Sequence, residues 1–164
     1  MILKIKKSFC IWAAVSVACM AAIFWFSAQS AEKSGELSGS FTRRIFADLF
    51  GMDSAGPVMN ILEVLIRKAA HVWIYAVLSF CTAYSIRQIT ENKRRIFLIS
   101  VCWCSLYAVT DELHQHFVPG RAAMWQDWLI DTAGALIGVC MAFFVMWLTK
   151  GRKKKFKFFT PRKY

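Results

Sequence analysis

The sequence is poor in charge and poorer still in acid. Only 19% of its 164 residues are charged, and ten Asp and Glu stand against 21 Lys and Arg. Beside 57% hydrophobic residues, so low a charged fraction excludes a disordered chain and an ordinary soluble domain. No internal repeat and no collagen-like period is present. There is no Cys-x-x-Cys pair: Cys10, Cys19, Cys81, Cys102, Cys104 and Cys140 lie in or at the edge of apolar runs. They read as small buried hydrophobes and not as a disulfide framework. The chain lacks a His-Glu-x-x-His pattern, a cysteine ligand set and a glycine-rich phosphate loop. No metal and no cofactor is therefore expected.

What is abundant is apolar sequence in long runs. Four stretches, near residues 8–28, 69–86, 96–113 and 128–149, approach the length that crosses a bilayer as a helix. Asp111 and Glu112 interrupt the third at its far end. The first follows Lys4, Lys6 and Lys7 and is too long for a signal peptide's apolar core, so it reads as an uncleaved helix. The expected fold is an all-α membrane protein, a single domain over residues 1–164 built as a bundle of four transmembrane helices. In the long segment before the second run, Leu37, Phe41, Ile45 and Leu49 recur every four residues, which predicts an outer amphipathic helix. Gly51 to Pro57 reads as a turn, with Pro57 opening the next helix.

The formal net charge of +11 would by itself suit a nucleic-acid binder. Its distribution argues for topology instead. Segments on one side of the four runs sum to +14 and those on the other to −3. The positive-inside rule then places both termini in the cytoplasm, with the basic tail 150–164 on anionic inner-leaflet lipid. No nucleic-acid partner is expected.

Depth arithmetic singles out one layer. An α-helix rises about 1.5 Å per residue through a core about 30 Å thick. Counting from the basic edge, His71, Asp111 and Glu112 fall at roughly 24 to 26 Å, and Lys68, His114, Gln115 and Asp131 at roughly 28 to 30 Å. Gln29 lies at about 33 Å. Ionisable side chains at such depth are costly and are expected to face the bundle interior and find partners. Helical spacing puts Lys68, His71 and Tyr75 on one face, Asp111, His114 and Gln115 on a second, and Asp127, Asp131, Gly134 and Gly138 on a third. Together these faces predict a polar pocket open to the outside.

These residues also carry a resemblance. Phe26-Ser27-Ala28-Gln29, Arg67-Lys68-Ala69-Ala70-His71 with Tyr75, Asp111-Glu112-Leu113-His114-Gln115, Phe117 to Arg121, and Asp127 with Asp131-Thr132-Ala133-Gly134 and Gly138 follow in order. In order, spacing and membrane register the chain resembles the VanZ-like integral membrane proteins, from about Phe24 to the end of the fourth run. The resemblance implies a bacterial plasma-membrane envelope protein associated with tolerance of glycopeptide antibiotics of the teicoplanin type. It supplies no agreed biochemical activity. It also implies that Asn is accepted where Asp131 stands.

Three functions follow as expectations. The first is a binding protein whose pocket, lined by Gln29, Lys68, Tyr75, Asp111, Gln115, Arg121, Asp127 and Asp131, takes an amphiphile such as a lipoglycopeptide or a lipid-linked cell-wall intermediate. The second is an enzyme acting on a lipid headgroup, with Glu112 or His114 as acid–base, His71 assisting, and Lys68 and Arg121 holding the anion. The third is a scaffold that packs on another membrane protein through the Gly134-x-x-x-Gly138 face. Membrane lipid is a partner in each. Arg121 suits bidentate contact with a phosphate or carboxylate, or else pairs with Asp127 or Glu112. Ser27 near Gln29 is a weak nucleophile candidate.

Overall fold

The computed structural model describes residues 7–50 and 57–158, and among them every regular element is a helix. Their order is α1 (Lys7–Ser27), α2 (Ala31–Phe50), α3 (Pro57–Arg87), α4 (Lys93–His116) and α5 (Trp125–Phe158). Pro57 does open α3, where its fixed φ suits a first turn and its missing N–H costs nothing. The expected turn before it, and the side chains of the basic tail, lie outside the described residues.

Local chemistry sets the helix ends. The Ser30 hydroxyl accepts the Lys33 N–H at 3.4 Å and so caps α2. Asn92 caps α4: its side-chain oxygen accepts the N–H groups of Arg94 at 3.0 Å and Arg95 at 3.3 Å. Between α4 and α5, Gly120 takes φ 76°, a left-handed turn that lets the chain double back after Pro119.

Among the described residues, three helices are long and apolar enough to cross a membrane: α1, α4, and α5 over Trp125–Thr149. Their outward surface fits that role. Trp25, Trp147, Phe144, Leu106 and Ile11 are all more than half exposed, far more apolar surface than a soluble protein of this size leaves bare. The chain is therefore a multi-pass membrane protein. Cys10, Cys102 and Cys140 share this surface, so the expectation of uniformly buried cysteines holds only for Cys81 and Cys104, with Cys19 half-buried. A single thiol is apolar enough to face lipid.

At the centre lies α3, packed most extensively on α5 and then on α1 and α4. Tyr75, Leu78, Cys104, Ala108, Ala135 and Ile23 form one part of the core. Ala83, Ile96, Val139, Ala142 and Met146 form the other. The closeness of α3 to α5 comes from two glycines. A Cβ on Gly134 would overlap the backbone of Val72, and one on Gly138 the carbonyl of Ala76. The four-residue spacing of the two glycines lets the backbone of α3 at Val72 and Ala76 approach α5 closely. Both glycines are thus used within the chain, which corrects the scaffold expectation: that face is already covered by α3 and offers nothing to a second protein.

Helix α2 is amphipathic, as its period predicts, and it packs on α3 through small residues. Gly39 and Thr42 are buried, with Gly39 against the Glu63 side chain of α3. Leu37 and Phe41 stay 56% and 58% exposed. Small residues allow close approach to α3, and the bulky ones are left at the rim of a cavity.

Candidate functional site

The site forms where the far ends of α1 and α4 meet the middle of α3 and the start of α5. Tertiary ties fix this register. Tyr107 Oη donates to the Met20 carbonyl at 2.7 Å, joining α4 to α1. Trp128 Nε1 donates to the Ser105 hydroxyl at 3.1 Å, and Ser105 and Thr132 hydroxyls lie 3.1 Å apart, joining α4 to α5.

Two rungs link α3 to α5. Lys68 Nζ donates to Asp127 Oδ1 at 2.9 Å, and three residues on, His71 Nδ1 lies 3.2 Å from Asp131 Oδ1. The first rung is partly exposed and contributes at most about 1 kcal/mol. The second is half-buried: Asp131 has no exposed surface, and the His71 side chain is 27% exposed. From α4, Asp111 approaches the same point. Its Oδ2 accepts a hydrogen bond from Gln115 Nε2 at 3.0 Å, and Gln115 also donates to the Ser27 hydroxyl of α1 at 3.3 Å. Atoms of His71, Asp111 and Asp131 capable of ligating a metal lie within 4.8 Å of one another. Three helices thus converge on one buried polar knot, with a fourth reached through Gln115.

Other expected site residues go elsewhere. Glu112 is buried, and its Oε2 accepts the Met124 N–H at 2.9 Å, fastening the 117–124 link to α4. His114 stacks on Phe24 of α1 with ring centroids 4.4 Å apart. His116 is exposed and leans on Phe117. The side chains grouped by sequence as acid and base are therefore dispersed, while His71 is joined by Asp111 and Asp131. Ser27 meets Gln115 and Asp111, not a histidine. Arg121 does not take Asp127, which is held by Lys68. It donates to the Phe26 carbonyl at 3.4 Å, in the last turn of α1. Burial pushes the Arg121 guanidinium down from its ordinary pKa and nearby Arg67 adds to this, with Asp111 and Glu112 opposing.

The role of Glu112 as an acceptor makes a simple prediction. Glu112→Gln keeps an oxygen for the Met124 N–H and is expected to melt within about 0.5 kcal/mol of wild type. Glu112→Ala leaves that N–H unmet and should cost about 1 to 2 kcal/mol, with faster proteolysis at the 117–124 link. Thermal denaturation in detergent and limited trypsinolysis at Arg121 measure both.

Two cavities flank the knot. One, of about 420 Å³, is walled by apolar groups that include Ile23, Phe26, Leu37, Phe41 and Ile74. The other, of about 350 Å³, is more polar, with Lys68, Asp127 and Gln115 in its wall beside Val64 and Ile130. Arg67, His71 and Arg121 line both. Gln29 borders the apolar chamber, whereas Tyr75 is fully buried one turn below His71. Sequence reasoning left Arg67 out of the site. Its position one residue before Lys68 was the available signal, since both cations sit at the same depth.

The helices that build this arrangement match one family model, described as VanZ/LLP1, over residues 12–147. The chain belongs to the VanZ/LLP1 family. The match runs from the second turn of α1 through most of α5, so every side chain of the buried knot lies inside it. Neither a curated protein nor a solved structure matches the chain. Family membership and apolar helices together make it a membrane protein of the VanZ/LLP1 family.

Proposed function

We propose that this VanZ/LLP1-family protein binds the anionic headgroup of an amphiphile at the outer face of a bacterial plasma membrane, and thereby contributes to tolerance of teicoplanin-type glycopeptides. One observation carries the reading: an apolar chamber and a more polar one share a wall made of Arg67, His71 and Arg121. An amphiphile has the same two halves. Its hydrocarbon suits the chamber edged by Leu37 and Phe41, and a phosphate or carboxylate suits the guanidinium pair. A lipoglycopeptide or a lipid-linked cell-wall intermediate has this chemistry.

The topology we propose has four spans, with α3 as the fourth and both termini in the cytoplasm. Trp12, near the start of α1, packs 4.9 Å from Tyr84, near the end of α3. Ser27, at the other end of α1, meets Gln115 near the end of α4. His71 of α3 lies beside Asp111 near that same end of α4, so the stretch from His71 to Tyr84 running opposite to α1 supports a fourth crossing. The basic Arg87 to Arg95 link then lies on the side where α1 starts, the inner side by the positive-inside rule.

The test is teicoplanin susceptibility in a Gram-positive host carrying empty vector, wild type or Arg67→Gln/Arg121→Gln at matched membrane levels. Wild type is expected to raise the inhibitory concentration several-fold, and the double variant to return it to the vector value. Equal protection by both overturns the pocket. No protection by wild type overturns the antibiotic role.

The His71–Asp131 contact favours a second reading, an enzyme acting on a lipid headgroup. A histidine held in one orientation by a buried carboxylate is equipped for proton transfer. That reading requires a wild-type-dependent lipid product, absent with His71→Gln, in mass spectra of the host lipids. An unchanged lipid profile rejects it.

A further inference from the structure

We propose that His71, Asp111 and Asp131 form a binding site for a divalent metal ion of the zinc type. The three residues come from α3, α4 and α5, and one ligand-capable atom of each lies within 4.8 Å of the other two. Imidazole nitrogen and carboxylate oxygen are both zinc ligands, and an ion held by three protein ligands keeps its last position for water or substrate.

Proximity alone would describe any buried polar network. What points to a ligand here is an excess of unmatched acceptors. Asp131 is fully buried and Asp111 is 3% exposed, yet Asp131 Oδ2 and Asp111 Oδ1 have no hydrogen-bond partner. Tyr75, also fully buried, leaves its hydroxyl unpartnered one turn along α3, within electrostatic reach of both aspartates. Buried carboxylate oxygens without donors are costly. Two cations lining the adjoining chambers hydrogen-bond to other groups, Lys68 to Asp127 and Arg121 to the Phe26 carbonyl, although Arg121 acts on Asp111 through space. A cation between the two aspartates would use both oxygens and take the imidazole as its third ligand. The remaining carboxylate oxygen of Asp111 is held by Gln115, the outer-shell support that orients a ligating group.

Sequence patterns missed this set because no two of its members lie on one helix. A His-Glu-x-x-His search looks for ligands a turn apart, whereas these are brought together by the glycine seam between α3 and α5. The site borders the proposed amphiphile pocket through His71, which lines both chambers, but it does not depend on what that pocket binds.

The probe is the metal alone. Protein purified in detergent with chelator is titrated with Zn²⁺ by calorimetry, in excess Mg²⁺, and its Co²⁺ form is read by absorption. Wild type and His116→Ala, which removes an exposed histidine, are expected to bind about one Zn²⁺ per chain. His71→Phe and Asp111→Asn/Asp131→Asn are expected to bind at least about tenfold more weakly, while eluting at the wild-type size. The Co²⁺ form should show the visible bands of a four-coordinate N,O site, a readout that needs no variant to fold. Zn²⁺ binding unchanged in both variants overturns the proposal. So does a thiolate-to-cobalt band, which would place the ion on cysteine, and so does the absence of binding by wild type. Each of these results leaves the amphiphile reading standing, because antibiotic susceptibility is measured separately.

Discussion

Gly138→Leu is expected to reduce folded protein in the membrane to a small fraction of the wild-type level. The reason is geometric. A side chain at 138 meets the backbone carbonyl of Ala76, and backbone has no rotamer by which to yield. Relief requires α5 to move away from α3, which would also separate Gly134 from Val72 and stretch both rungs, Lys68–Asp127 and His71–Asp131. Overpacking of this sort costs about 3 kcal/mol or more, a large share of a typical domain's stability. Gly35→Ala is the matched contrast. Its Cβ would sit at ordinary contact distance, 3.9 Å from an Arg67 nitrogen. There the alanine is expected to stabilise α2 by about 0.5 to 1 kcal/mol, because glycine loses more backbone freedom on entering a helix. Membrane abundance by blotting, with thermal denaturation in detergent, measures both variants. Normal accumulation of Gly138→Leu would mean that the α3–α5 seam is not close-packed in the bilayer.

The seam also marks how far the sequence could be read. Run length and charge located the helices, because a bilayer-spanning helix needs only apolar length and flanking cations to declare itself. Depth arithmetic placed Lys68, His71, Asp111 and Asp131 in one layer, and the structure brings the last three together. That much needed only the rise of a helix. Rotation about each helix axis was harder to read. Asp111, His114 and Gln115 share a broad face by spacing, yet Asp111 turns to α3 and α5 while His114 turns to Phe24 of α1. The choice depends on which neighbour occupies which side, information that one helix does not contain. Helix α2 carries the same lesson. Its apolar period was clear, but the partner's shape chose the Gly39 and Thr42 face for burial. Glu112 shows a different limit. A carboxylate at membrane depth attracts a chemical reading, and its spacing does not tell that one of its oxygens accepts a backbone N–H in the link that follows.

Asp131→Val is expected to be the most destabilising change in the buried knot, and a double variant separates its structural part from its functional one. Removing the carboxylate leaves the His71 nitrogen without its partner at 3.2 Å, at a cost of about 1 to 3 kcal/mol. Replacing both residues, as His71→Leu/Asp131→Val, removes the unmet group together with its partner. An apolar pair of similar volume in that position is expected to recover most of the lost stability, since the desolvation of both polar groups is avoided. Measured with chelator present, the denaturation midpoint should therefore fall for the single variant and return toward wild type for the double. Protection against teicoplanin should not return with it. A stable double variant without protection means that the imidazole and carboxylate act on something beyond each other. A double variant that regains both stability and protection would reduce the pair to a packing device, and would leave the pocket's chemistry to Arg67 and Arg121 alone.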